Sequence, residues 1–341
     1  MTLTPEVEGR LYQDAFQILK VHELLLRDAA RNAAFRRALE EAVKPGSYVL
    51  DIGSGTGLWA IIAAKLGAEK VVAIEREPLL IGLIKALAHD NGVADKVEVI
   101  LGDSLQVQLE RKFDVVISET IGHVVFDEQI VPIMIDARKR FLKPGGRMIP
   151  DVVTLTATPA RFSLGSMKLP AGIPEDFAYF KSLVLNMPVV LSDKRQVQIA
   201  GETKALARVD LSTVTEQTFP DLTKLSASWT ISDAREVDCV VVWAEVSLGN
   251  GNQVQTVDTS SWTGTVYRMA PFTAPGGELR FDLRLETMTN RWTVSLTHDG
   301  TTESQSYSPA TAAVDLLMQT RLDIEEFRRL KATGQIDIKM F

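Results

Sequence analysis

Apolar residues recur along this chain in three different patterns. In residues 12–41, Phe16, Leu19, Leu26 and Ala30 fall at helical spacing with no proline among them, which predicts one or two amphipathic helices. A KPGS turn at 44–47 leads into short, almost wholly apolar runs. These are VLDI (49–52), VVAIE (71–75), VEVILGD (97–103), FDVVISE (113–119) and, after a KPGG turn, RMIPD (147–151). Helical stretches such as LWAIIAAKLG (58–67) and PLLIGLIKALAHDNG (78–92) lie between them. Strands that are apolar on both faces and alternate with helices predict a parallel sheet covered on each side.

Beyond Pro150 the period changes to two. Runs such as VVTLTATPARF, KLSASWTIS, DCVVVWAEVSLGNGN and ELRFDLRLETMTNRWTVSLTHDG are rich in Val, Thr and Trp and are separated by turn residues. They predict an antiparallel β domain over 152–310, interrupted by a helical insertion at 167–187. Residues 311–332 return to helical periodicity. The expected order is N-terminal helices (1–45), an α/β domain (46–151), a β domain (152–310) and a helical tail (311–341).

Composition narrows the function. A length of 341 residues, 45% of them hydrophobic, suits about two globular domains. With 37 basic and 44 acidic side chains the net charge is −7, so no general attraction to nucleic acid or an anionic membrane is expected. The lone cysteine, Cys239, lies in an apolar run and reads as a small buried hydrophobe in a reducing compartment. His22, His89, His123 and His298 are scattered without metal-ligand spacing, so no metal is expected. The opening residues lack the blocks of a signal peptide and no apolar run nears ~20 residues, which predicts a cytoplasmic location.

The candidate chemistry starts at VLDIGSGTG (49–57), a strand, a glycine turn and a helix start, where backbone can approach a ligand closely. A dinucleotide loop spaces its glycines G-x-G-x-x-G, whereas Gly53, Gly55 and Gly57 run G-x-G-x-G. Asp51, just before them, would repel a pyrophosphate and suits an amino group. Glu75 closes the next strand, where an acid accepts ribose hydroxyls, and Asp103 and Ser104 follow the third, where an adenine edge would lie. Three strand-end acids in order point to S-adenosylmethionine (SAM). A nicotinamide-dependent oxidoreductase fits the glycine spacing less well.

The fourth strand ends in Glu119, and Glu128 follows nine residues later in the loop SETIGHVVFDEQ. Gly122 could allow a reversal that brings both carboxylates to one pocket. Two facing carboxylates repel unless a cation lies between them, and a planar guanidinium can pair with both.

The stretch ISETIGHVVFDEQIVPIMIDARKRFLKPGGRMIPDVVTLTATP resembles the double-glutamate loop and following helix of the protein arginine methyltransferase family. VHELLLRDAARNAAFRRAL likewise resembles that family's cofactor-covering helix. The similarity runs from about Tyr12 to about Thr297 and implies a Rossmann-like SAM domain, a β-barrel-like domain with a helical dimerisation arm, and a homodimer. It implies that Arg31 meets the SAM carboxylate, Asp51 and Gly53 the methionine end, Glu75 the ribose and Ser104 the adenine, with Glu119 and Glu128 catalytic. Tyr12, Phe16 and Trp262 would contact the substrate. The methyl group would pass to an arginine nitrogen, leaving S-adenosylhomocysteine.

Two departures stand out. The family's paired first-helix aromatics appear as Tyr12 and Phe16, one hydroxyl short, and its Thr-His-Trp loop reads Ser260-Ser261-Trp262. The missing imidazole leaves three acceptor readings open: protein or peptide arginine, a small molecule such as free arginine or another amine metabolite, or an inactive SAM-binding scaffold.

Overall fold

A computed structural model describes residues 5–162, 178–191, 193–231, 237–272, 276–286, 289–298 and 300–311, with Arg329 and Thr333. The N-terminal segment forms two helices, α1 (Pro5–Arg27) and α2 (Ala29–Ala42). They part at Asp28, whose extended backbone ends one helix while its side chain accepts the Arg31 N–H and caps the next. Such a cap is worth about 1 kcal/mol.

The α/β half follows as β1 (Tyr48–Ile52), α3 (Leu58–Lys65), β2 (Lys70–Glu75), α4 (Pro78–Asp90), β3 (Val97–Leu101), β4 (Phe113–Ser118), α5 (Ile130–Arg140) and β5 (Leu142–Ile149). The strands pair in parallel in the order β3-β2-β1-β4-β5, as the doubly apolar runs require. The sheet reverses its winding between β1 and β4, and ligands of open α/β sheets bind beside such a switch. The KPGG segment is not a turn ahead of the fifth strand. It is an excursion within β5, because Phe113 pairs with Leu142 but Val115 pairs with Arg147.

The β half contains β6 (Val152–Phe162), α6 (Ala178–Leu185), β7 (Val189–Val190), β8 (Val197–Ile199), β9 (Lys204–Asp210), β10 (Leu225–Ile231) and β11 (Val237–Ser247). It continues with β12 (Gln253–Gln255), β13 (Thr265–Phe272), β14 (Gly277–Glu286), β15 (Thr289–His298) and β16 (Thr301–Tyr307). These build two antiparallel sheets, one centred on the β11–β6 pair and the other ordered β10-β14-β15-β16. Only α6 of the expected insertion is described, and the helical tail lies almost entirely outside the described residues.

One aromatic cluster joins the layers. Phe35 of α2 stacks on Trp59 of α3 at 5.0 Å and meets Trp262 of the β half edge-on at 5.9 Å. Arg138 of α5 donates to the carbonyls of Leu211 and Val214, and the Asn252 amide reaches the Ala34 carbonyl at 2.7 Å. The helices that cover the sheet are thereby fastened to the β half as well.

Candidate active site

The carboxyl ends of β1, β2, β3 and β4 open into a cavity of about 480 Å³, roofed by one face of α1. That face is Ile18, Val21, His22, Leu25 and Leu26, the i, i+3, i+4, i+7, i+8 stripe of an amphipathic helix. Arg31, Gly53, Gly55, Glu75, Asp103, Ser104, Glu119 and Glu128 all line this one space.

At the end of β1, Asp51 is fully buried beneath the glycine loop and does not border the cavity. Its Oδ2 accepts the Ala60 N–H at 3.1 Å, and its Oδ1 has no hydrogen-bond partner among the described residues. Burial, reinforced by the charges of Glu75 and Glu119, pushes its pKa up to about 7 against the pull of local hydrogen bonds. Gly55 has φ +57°, and a Cβ there would sit 2.9 Å from His22 Nε2, so the loop and the roof helix nearly touch. Gly57 has another task. It starts α3 with φ +78° and packs on Ile84, away from the cavity, because a Cβ would meet Ile84 at 2.7 Å.

Glu75 is held from three sides. Its oxygens accept the backbone N–H groups of Gly55, Arg76 and Glu77 at 2.8–2.9 Å. A carboxylate offers about four acceptor positions, so roughly one remains for a ligand hydroxyl. Asp103 accepts the Leu105 N–H at 3.0 Å and Ser104 is buried, both on the cavity wall.

Glu119 caps β4 with both oxygens engaged. The Arg31 guanidinium forms an ion pair with Oε2, and the Trp262 indole donates to Oε1 at 2.8 Å. Burial raises the Glu119 pKa to about 7; Arg31 and Trp262 pull it down, while Glu128 and Asp28 push it up. Trp262, expected at the substrate, is buried and is not among the residues lining the cavity; its indole supports Glu119. Phe16 is about half exposed and also stands off the wall, because the cavity-facing stripe of α1 lies on other positions. The side chain of Tyr12 lies outside the described residues.

Glu128 reaches the same cavity from the loop after β4, and its pKa is raised by burial and by Asp127, with His123 and Arg76 opposing. The reversal uses left-handed Val125 (φ 70°) and Gln129 (φ 64°). Gly122 serves it by lacking a side chain, since a Cβ would collide with the Asp127 carboxyl, which turns back toward the Val124 N–H at 3.3 Å. His123 lies on the surface of this loop, with its Nδ1 3.2 Å from the Trp262 carbonyl oxygen.

Sequence reasoning missed His22, Arg76 and Thr120, all on the cavity wall, and buried Asp28, which holds the Ser260–Ser261 backbone. The roof stripe of α1 was a readable signal for His22, because it is the polar member of an otherwise apolar helix face.

The donor set suits SAM. Glu75, Glu119 and Glu128 surround the space with negative charge for a sulfonium, Arg31 is a buried cation for a carboxylate, and Gly55 permits close backbone approach. The unpartnered Asp51 Oδ1 lies buried beneath the glycine loop, off the cavity wall.

Parallel sheet, glycine loop and strand-end acids together define a class I SAM-dependent methyltransferase. The family model described as ribosomal protein L11 methyltransferase (PrmA) matches residues 36–151. Protein arginine N-methyltransferase 6 of Danio rerio is 25% identical over 272 residues, covering 76% of this chain and 77% of that protein. Arginine N(omega)-methyltransferase of Streptomyces achromogenes subsp. streptozoticus is 29% identical over 238 residues, covering 67% and 64%. Probable protein arginine N-methyltransferase 6.1 of rice (Oryza sativa subsp. indica) is 34% identical, but over only 44% of this chain and 40% of its own length. Among solved structures, the Trypanosoma brucei PRMT1 enzyme–prozyme heterotetrameric complex with AdoHcy superposes with TM-score 0.70 at 24% identity, covering 84% of this chain and 97% of that one. The chain is thus similar to protein arginine methyltransferases over about three quarters of its length and shares their fold.

Proposed function

We propose that this protein transfers the methyl group of SAM to a guanidinium nitrogen of arginine. The observation that carries the reading is Glu119, a cavity carboxylate that already holds a guanidinium, with Glu128 on the same wall. When bound, SAM supplies an electrophilic methyl group on a positively charged sulfur. Arg31 and the glycine loop, with Asp51 buried beneath it, would hold its methionine end, Glu75 its ribose, and Asp103 and Ser104 its adenine.

The rest of the chemistry belongs to the two glutamates. Paired to them, the acceptor guanidinium is fixed in the plane of its fork, so its nitrogen is presented in one orientation and translational freedom is already lost. The guanidinium of arginine stays protonated far above neutral pH, so the proton leaves during or after transfer, and a carboxylate whose pKa is raised by burial is a suitable acceptor. No covalent enzyme intermediate is required.

A second acceptor reading is favoured by one observation. Where the family carries an imidazole, Ser261 donates its hydroxyl to the Asp28 carboxylate at 2.6 Å. A small acceptor such as free arginine therefore stands beside protein or peptide arginine as a second reading. Both readings have a named relative, an arginine N(omega)-methyltransferase and a protein arginine N-methyltransferase 6. Tritiated SAM incubated with free L-arginine and with an arginine-containing peptide separates the two, and label in neither would overturn the proposal.

A homodimer belongs to the same reading. It is supported by exposed Phe180 and Met187 at α6 and by exposed Leu19 and Leu24 on α1, apolar surfaces suited to meet across two copies. A reducing, cytoplasmic setting is supported by the free, buried Cys239.

A further inference from the structure

The cavity wall carries more charge than a cofactor and a guanidinium use. Glu75 and Asp103 face the cofactor, and Glu77 caps α4 by accepting the Leu79 N–H at 3.2 Å. Arg31 and Glu119 lie deep and are paired with each other, and Glu128 stands ready for the acceptor guanidinium. Two exposed side chains on the same wall, Arg76 and Asp127, are left without a task. The Arg76 guanidinium has no hydrogen bond or ion pair among the described residues. Burial raises the Glu128 pKa, and Arg76 is near enough to oppose that rise. Asp127 accepts only the Val124 N–H, at 3.3 Å through Oδ1, so its Oδ2 has no partner among the described residues. Its carboxyl is folded back over Gly122, where a Cβ would stand 2.1 Å from Oδ1, and the loop backbone thus fixes it beside Glu128.

We propose that the mouth of this cavity binds the α-amino-acid end of free arginine, Arg76 taking its carboxylate and Asp127 its ammonium. A peptide arginine has an uncharged amide on each side of its α carbon and would leave both mouth charges unmatched. A free amino acid carries one charge of each sign there, and the wall offers one unpaired partner of each sign. A guanidinium meets a carboxylate through two parallel N–H donors, and such charge-assisted bonds are about twice as strong as neutral ones. Asp127 and Glu128 are consecutive, with Cα atoms ~3.8 Å apart. Side chains spreading from neighbouring positions can meet an ammonium and a guanidinium held apart by the short arginine stem. The inference rests on reading Glu119 and Glu128 as the acceptor-binding acids, and it selects the small acceptor for them.

Four acceptors test the mouth. They are L-arginine, L-argininamide without the carboxylate, Nα-acetyl-L-arginine without the ammonium, and Nα-acetyl-L-argininamide, which lacks both and mimics a peptide. With the full chain and tritiated SAM, kcat/KM should be highest for L-arginine and about 100-fold lower for the doubly blocked compound, mostly through KM. Arg76→Gln should cut the preference for L-arginine over L-argininamide by about tenfold, and Asp127→Asn the preference over Nα-acetyl-L-arginine. Both positions are exposed and asparagine keeps an oxygen for the Val124 N–H, so Tm should stay near that of the wild type. If Arg76→Gln weakens S-adenosylhomocysteine binding and leaves the acceptor preference alone, Arg76 serves the cofactor and the proposal is overturned. Equal or better turnover of the doubly blocked compound also overturns it, while arginine methylation stands. If no acceptor is methylated, L-arginine is titrated into the protein saturated with S-adenosylhomocysteine. Binding that Arg76→Gln weakens about tenfold keeps the amino-acid site and removes the transfer reading. Binding that Arg76→Gln leaves unchanged overturns the site, and no binding removes both.

Discussion

Arg31 on α2 and Glu119 at the end of β4 form an ion pair whose side chains are 3% and 10% exposed, although 88 residues separate them in the chain. The protein thus stores a guanidinium on the carboxylate assigned to hold one from the acceptor. A buried pair gains little net stability, because its attraction is set against the cost of desolvating both ions. Its use here is geometric.

Replacing Glu119 with Gln leaves the size unchanged and removes the charge. Turnover is expected to fall by ~10²–10⁴-fold, the range for losing a positioned acid or base. Affinity for S-adenosylhomocysteine, measured by isothermal titration, should change by less than about tenfold. Strong loss of affinity with turnover retained would contradict the role given to Glu119.

The acid limb of the activity profile should report Glu119. Its pKa is held up to about 7 by burial in the free protein, and the charged form is needed to pair with the acceptor, so kcat/KM should rise as pH increases through about 7. The Trp262 hydrogen bond lowers that pKa. Trp262→Phe should therefore move the limb to higher pH, which a kcat/KM profile from about pH 5.5 to 9 would reveal.

Asp51 should make the protein less stable as pH rises. Its folded pKa lies near 7, above the ordinary aspartate value, so between about pH 4 and 7 the folded state binds the proton more tightly than the unfolded state. Stability from this group is fully present below that window and is lost as pH climbs through it. Asp51→Asn does not titrate, so its Tm relative to wild type should increase from pH 4.5 to 7.5. A constant difference would show that Asp51 is ionised throughout.

Gly55→Ala places a Cβ at φ +57° and 2.9 Å from His22 Nε2. The imidazole can swing aside, so the main cost is the left-handed backbone, about 1–2 kcal/mol. The displaced roof should weaken S-adenosylhomocysteine binding by about tenfold or more. Thermal shift with and without that ligand separates the two effects, and Gly46→Ala, at a left-handed position with open space around it, controls for backbone strain alone.

Phe180→Asp puts a charge on the exposed apolar side of α6. Sedimentation equilibrium should give twice the chain mass for the wild type and the single-chain mass for the variant. A wild-type monomer would remove the dimer from the proposal.

The sequence alone determined the elements and their order. Doubly apolar runs can be stable only inside a sheet covered on both faces, and alternating runs only on one that is half exposed, so VLDI and KLSASWTIS declared their environments locally. Strand-end acids were legible for the same reason, because strand ends in a parallel sheet converge on one edge. Asp51, Glu75, Asp103 and Glu119 do gather around one cavity, with Asp51 beneath its floor. Tertiary structure decided what period and spacing do not encode, namely which partner each polar group takes. Trp262 turned out to brace Glu119 from 143 residues away, Gly57 to pack on Ile84, and Asp28 to bind Ser261 across 233 positions. Such pairings follow from how the β half docks on the N-terminal helices, and that docking is set by packing around Phe35, Trp59 and Trp262. A buried polar group must find a partner wherever the chain places one, and sequence distance does not enter that requirement.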